Sequence, residues 1–268
     1  MVGLKRVAHW LLVAVTMLVA ASCRDDASSD ARTTKLTHAN PGAHGSQAPS
    51  IPVAPPPTSR TLGRTREVYV AELGTSLSVF PTVFAPHRTN QPFRQFLVSQ
   101  DLAWAKHVLD IGTGSGVLSF LVLRRGAGRV VATDVNDVAI QNASHNAERL
   151  GYEGKFEARL VPLDRPDAFS MIGPLERFDL ILSNPPWFNG FPRSMKDRAI
   201  YDEGYSLLRS ILAGLPTHLK HAGKAWLEYS SDEAREVIVR EAPRYGLTQR
   251  ILRDQGPYAI IELRLRPK

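Results

Sequence analysis

From about residue 66 onward the chain reads as one α/β domain built on a doubly wound, mostly parallel sheet. Two observations predict this. A strand, a glycine-rich turn and a helix follow one another over residues 108–123, and the next strand ends in a carboxylate at Asp134. Beyond it, short apolar runs alternate with helical stretches to the end of the chain, the order that builds parallel sheets covered on both faces.

The elements take their places in sequence. Residues 108–111 (Val-Leu-Asp-Ile) form the first strand of the sheet, Gly112 to Gly116 the turn, and the apolar stretch 117–123 the helix after it. The run 129–134 is the second strand. Residues 136–150 carry small or apolar groups at Ala139, Ala143, Ala147 and Leu150, a helical spacing that Gly151 ends. Residues 156–163 and 178–183 read as the third and fourth strands, 205–219 as a helix that Pro216 kinks or ends, 224–229 as the fifth strand, and 232–244 as a helix. Residues 247–253 and 258–265 flank Asp254-Gln255-Gly256-Pro257 and so predict a terminal hairpin.

The glycine turn is where a ligand is expected. Glycines let backbone approach a ligand closely, and the start of a helix presents free N–H groups. Asp134 follows roughly 20 residues later, the place where βαβ nucleotide sites hold an acid that accepts from ribose hydroxyls. The spacing excludes several alternatives. A dinucleotide fingerprint from Gly112 needs glycine at 117, which is Val117. A serine elbow on Ser115 needs glycines at 113 and 117 and meets Thr113 and Val117. No GxxxxGK[ST] phosphate loop surrounds these glycines. A turn of this kind also serves packing alone, so it decides little without a partner motif.

That partner is Asn184-Pro185-Pro186-Trp187, at the end of the fourth strand. Asn-Pro also starts ordinary turns. Two prolines in succession nevertheless stiffen the backbone and aim its carbonyls. The Asn184 oxygen and the Pro185 carbonyl then form a pair of acceptors for one NH2 group, with Trp187 as a flat face for the group that carries it.

With DIGTGSG at residues 110–116 and NPPW at 184–187, the chain resembles the class I S-adenosylmethionine methyltransferases of the methyltransferase small domain group. The resemblance covers about residues 75–265 and includes Val79-Phe80-Pro81-Thr82-Val83-Phe84-Ala85-Pro86, similar to the segment before the first strand in that group. It implies a seven-stranded Rossmann-like sheet with an antiparallel last strand and S-adenosyl-L-methionine as cofactor. It also implies a cofactor site made by Asp110, Gly112, Thr113, Gly114, Ser115, Gly116, Asp134 and Asn184, with Asp164 near adenine at the end of the third strand. Asn184, Pro185, Pro186 and Trp187 would act on the acceptor. The family more often has Tyr or Phe at the last position; Trp187 keeps the stacking face and changes which planar group fits. Members methylate amino groups of adenine or guanine in nucleic acid, or a glutamine amide of release factors. A nucleic acid is the expected acceptor, RNA before DNA, with protein glutamine as the alternative, because the helical substrate domain of the glutamine enzymes has no counterpart ahead of residue 66. No metal is expected, and the domain is expected to be a monomer.

The first 65 residues read differently. Lys5 and Arg6 precede an apolar run that ends at Cys23, the only cysteine, which resembles a lipoprotein export signal over residues 1–23 and places a lipid anchor at Cys23. An uncleaved anchor or a start assigned too far upstream, with the domain in the cytoplasm, stands beside that reading. Residues 24–65, rich in Ser, Thr, Ala and Pro, read as a disordered tether. A cell-envelope location conflicts with a cofactor made inside cells, which leaves an exported, non-catalytic binding module as a further alternative. The net charge of +7, from 33 Lys and Arg against 26 Asp and Glu, favours an acidic partner without naming it. Arg193, Lys196 and Arg198 follow the NPPW motif and suit a phosphate backbone, although such clusters are commonly solvated surface. His218 and His221 lack the neighbours of a zinc site and are expected at the surface.

Overall fold

The computed structural model describes residues 64–267; the export signal, Cys23 and nearly all of the tether lie outside the described residues. The domain opens with an antiparallel hairpin, β1 (Arg66–Val70) and β2 (Thr75–Val79), turned at Gly74 and forming its own two-stranded sheet. Helix α1 (Gln91–Val98) follows, with Pro92 in its first turn and Phe93, Phe96 and Leu97 on its buried face. The sequence reading assigned neither the hairpin nor this helix. Each is short, five residues per strand and eight in the helix, and packing against the main domain decides their conformation.

The main sheet has seven strands in the order β5-β4-β3-β6-β7-β9-β8. They are β3 (His107–Ile111), β4 (Arg129–Asp134), β5 (Phe156–Leu160), β6 (Phe178–Ser183), β7 (Leu219–Tyr229), β8 (Leu247–Gln255) and β9 (Tyr258–Leu265). Strands β5, β4, β3, β6 and β7 are parallel, and β9 runs antiparallel to both β7 and β8. The expected hairpin therefore forms, but its second strand slides between β7 and the first. The connecting helices are α2 (Val117–Arg124), α3 (Asp137–Arg149), α4 (Ser206–His218) and α5 (Asp232–Glu241).

Both faces of the sheet are covered, which is why β6 needs a continuous apolar run: Leu180, Ile181 and Leu182 are all fully buried. Alternate residues serve different cores. Leu109 and Ile181 pack with α4 and α5, while Val108, Leu180 and Leu182 pack with α1 and α2. Each such side chain contributes roughly 1.5–3 kcal/mol by leaving water.

Several boundaries shift for local reasons. β5 stops at Leu160 rather than 163, because Pro162 has no N–H to give a strand ladder. α4 runs on to His218 with Pro216 inside its last turn; the proline has no N–H for the Leu212 carbonyl, and the helix ends two residues later. β7 begins at Leu219 rather than 224, with a register shift against β6 after Phe178. His218 is not a surface residue: it is buried, stacked on Phe169 at 4.7 Å, with Nδ1 3.0 Å from the Glu176 carbonyl.

Candidate active site

Chain order β3-β4-β5 runs outward in one direction and β6-β7 in the other, so the sheet changes direction between β3 and β6. In open α/β sheets the crevice beyond the carboxyl ends of two such strands is the ligand site. Ile111, the last residue of β3, pairs with Ser183, the last residue of β6, and the Ser183 hydroxyl donates to the Ile111 carbonyl at 2.8 Å. The glycine turn and the NPPW motif therefore leave the sheet side by side.

The turn is held from below. Gly112 and Thr113 donate their N–H groups to the Thr133 carbonyl at 2.8 and 3.0 Å, tying the turn to β4. Gly112, Gly114 and Gly116 all have left-handed backbones, with φ of 76°, 55° and 85°. They differ in what surrounds them. A Cβ on Gly116 would stand 2.5 Å from the Phe120 ring, whereas one on Gly112 would meet nothing within 4 Å. Gly116 serves packing, and Gly112 faces open space. Helix α2 begins directly after Gly116 without a side-chain cap; the Ser119 N–H turns to Asp110, which leaves those of Val117 and Leu118 at the helix start.

Asp110 is fully buried under the turn. Its Oδ2 accepts from the hydroxyls of Thr113 (2.8 Å) and Ser119 (2.6 Å), while Oδ1 has no hydrogen-bond partner among the described residues. Burial, with the charge of Asp134 nearby, pushes its carboxyl up to about 6. Asp134, at the end of β4, accepts from the Gly114 N–H through one oxygen and from the Asn136 N–H through the other, each at 2.9 Å, and burial raises it too. Its first task is thus to clamp the turn; the remaining lone pairs are what a ribose would use. Thr113 and Ser115 point inward and are buried, so they shape the turn rather than line its open side. Asp164 stands exposed in the turn after β5, beyond the strand end where the resemblance put it.

The 80–86 segment reaches this turn as well. A Cβ on Gly114 would stand 3.8 Å from the Phe84 carbonyl, and Asn136 Nδ2 lies 3.4 Å from the Thr82 carbonyl. Thr82 has the unusual φ of 68° for a side chain with a branched Cβ. Asn142 and Asn146, one helical turn apart on α3, anchor β2 by donating to the Ser78 carbonyl at 2.8 and 2.9 Å. Their i, i+4 spacing on the alanine face of α3 is the signal that a buried polar contact was waiting there.

On the other strand, Asn184 is half-buried, Pro185 buried and Trp187 half-buried. The Trp187 indole donates to Asn184 Oδ1 at 3.1 Å, and its ring meets Tyr258 of β9 at 5.7 Å and 59°. Arg193 and Lys196 stand exposed on the loop beyond, as does Phe191 at 70%; Arg198 is half-buried.

Sequence reasoning missed Glu228. It is buried near the carboxyl end of β7, where Oε1 accepts from the Phe93 N–H of α1 at 3.1 Å and Oε2 has no partner among the described residues. Burial pushes its carboxyl up to about 8. Because the folded form binds this proton more tightly than the unfolded chain, stability falls between about pH 4.5 and 8, by up to about 1.4 kcal/mol per pH unit. Glu228→Gln keeps the Phe93 bond and removes the titration. Its melting temperature is expected to match the wild type near pH 4.5 and exceed it increasingly up to pH 8, a difference that denaturation across that range measures; a constant offset would refute it.

Residues 87–185 match the family model described as ribosomal protein L11 methyltransferase. A release factor glutamine methyltransferase from Bordetella pertussis is 33% identical over 188 residues, covering 63% of this chain and 66% of that protein. A tRNA1(Val) (adenine(37)-N6)-methyltransferase from Phocaeicola vulgatus is 28% identical over 148 residues, 55% of this chain and 61% of its own. The domain has the fold of the class I S-adenosylmethionine-dependent methyltransferases and resembles them in sequence. A T. thermophilus 16S rRNA methyltransferase solved with AdoMet and guanosine has the same fold, with a TM-score of 0.53, 20% identity, and coverage of 80% of this chain and 53% of that one. The chain spans just under two thirds of the two curated relatives' lengths. The glycine turn fits S-adenosylmethionine, the cofactor of these relatives, by its own geometry. Gly112 leaves a space that any side chain would fill, and the uncapped start of α2 offers donors to the carboxylate of an amino acid.

Proposed function

We propose that this methyltransferase transfers a methyl group to a planar amino nitrogen, with a base of RNA as the preferred acceptor and DNA next. The observation that carries this reading is the Ile111–Ser183 pairing, which makes the glycine turn and the NPPW motif neighbours at the point where the sheet changes direction. When bound, S-adenosylmethionine supplies an electrophilic methyl on a sulfonium. Gly112, Gly114 and Gly116, with Asp110 and Asp134 beneath them, shape its cradle.

The acceptor nitrogen is a poor nucleophile because its lone pair is delocalised into the ring or carbonyl. Asn184 Oδ1 and the Pro185 carbonyl accept its two N–H bonds and hold it in line with the methyl, which is positioning combined with electrostatic stabilisation. Held over Gly112, Gly114 and Gly116, the cofactor would supply the methyl, its S–C bond pair left on sulfur while the acceptor's lone pair makes the new N–C bond. The nitrogen then sheds a proton to solvent. No residue is assigned as a general base.

A glutamine amide offers the same planar NH2, and the Bordetella relative is named for that substrate, so protein glutamine is the second reading. Charge favours nucleic acid, since the chain carries +7 overall and Arg193 and Lys196 stand exposed just beyond the motif. Incubating the purified chain with labelled cofactor and separate RNA, DNA and protein pools tests the proposal. Label in RNA is expected. Label in protein alone would overturn the preference, and label in none would overturn the reading.

A further inference from the structure

We propose that Trp187 is a positioning residue: its indole N–H fixes which end of the Asn184 amide faces the acceptor. The two ends of an asparagine amide have the same size and shape, so packing by itself does not choose between them. Only the oxygen end can accept from a substrate NH2; the other end would set N–H against N–H. An indole nitrogen donates and never accepts, so the 3.1 Å contact from Trp187 Nε1 to Asn184 Oδ1 is possible with one amide orientation only. The carbonyl oxygen keeps a second lone pair, free for the acceptor. Trp187 is itself held, by Tyr258 on one side and by contact with the core beneath α4 and α5. Pro185 and Pro186 restrict the backbone between the two partners. Neither Tyr nor Phe places an indole N–H there, so tryptophan at this position does more than offer a flat face.

This inference rests on the proposed reaction, and the test separates the two. Kinetics would be measured for the wild type, Trp187→Phe, Asn184→Asp and the double variant. Trp187→Phe keeps an aromatic face but loses the donor. Its kcat is expected to fall about three- to tenfold, with the KM for acceptor and the affinity for cofactor nearly unchanged. A carboxylate has no wrong end, so in the Asn184→Asp background the same change should alter kcat by less than about twofold. A merely structural tryptophan would cost the same in both backgrounds, and that result would overturn the proposal. A second readout needs no turnover: exchange of the Trp187 indole proton, followed by NMR, should be slowed in the wild type and released in Asn184→Ala. Exchange as fast as in an open indole would overturn the proposal even if the Asp variant is inactive. Absence of wild-type transfer to any pool, with the indole proton still protected, would remove the reaction and leave the amide's orientation standing.

Discussion

Asn184→Ala is expected to slow methyl transfer by about 100- to 1,000-fold, the scale lost when one preorganised polar contact to a developing charge is removed. The variant leaves the acceptor with the Pro185 carbonyl alone, so the nitrogen is neither aligned nor activated. The glycine turn stands on its own bonds to Thr133 and Asp134 and should persist. Cofactor affinity by calorimetry should therefore stay within about twofold of the wild type, well below 1.4 kcal/mol. The half-buried side chain makes one hydrogen bond, to Trp187, so its removal costs the fold about 0.5–1.5 kcal/mol. Turnover equal to the wild type would remove Asn184 from the chemistry.

Two glycines of one turn should fail in opposite ways. Gly116→Ala puts a methyl 2.5 Å from the Phe120 ring on a backbone with φ of 85°. The left-handed backbone costs about 1–2 kcal/mol and the overpacking about 1–3 kcal/mol, together about 2–5 kcal/mol, a large part of the roughly 5–15 kcal/mol that holds a domain folded. Gly112→Ala bears the backbone strain alone, because its methyl meets nothing. Its methyl instead occupies the side from which a ligand approaches, so cofactor affinity should drop by at least about tenfold. Chemical denaturation and calorimetry on both variants read this contrast. Equal stability losses, or a Gly112→Ala variant that binds cofactor normally, would show that the open side of the turn is not the cradle.

How much was legible in the sequence follows from the range over which each signal acts. DIGTGSG and NPPW were readable because backbone freedom at glycine and rigidity at proline are properties of single residues. The strands of the central sheet were readable because burial on both faces demands runs such as Leu180-Ile181-Leu182. The β1–β2 hairpin was not, since its register depends on Asn142 and Asn146 holding Ser78 from a helix more than sixty residues away. Glu228 was equally hidden: nothing local marks a carboxyl group that accepts from Phe93, 135 residues earlier, in the first turn of α1.

The sequence by itself determined the alternation of strands and helices, the glycine turn and the stiff Asn-Pro-Pro corner, because each rests on local conformational limits. Tertiary structure alone decided that β9 enters between β7 and β8, that Asp110 lies sealed beneath the turn with one oxygen unpartnered among the described residues, and that the Trp187 indole holds the Asn184 oxygen. It also decided that Ile111 and Ser183 end side by side. Those outcomes depend on which strands share hydrogen bonds and which side chains share a buried space, and no periodicity along one chain encodes that pairing.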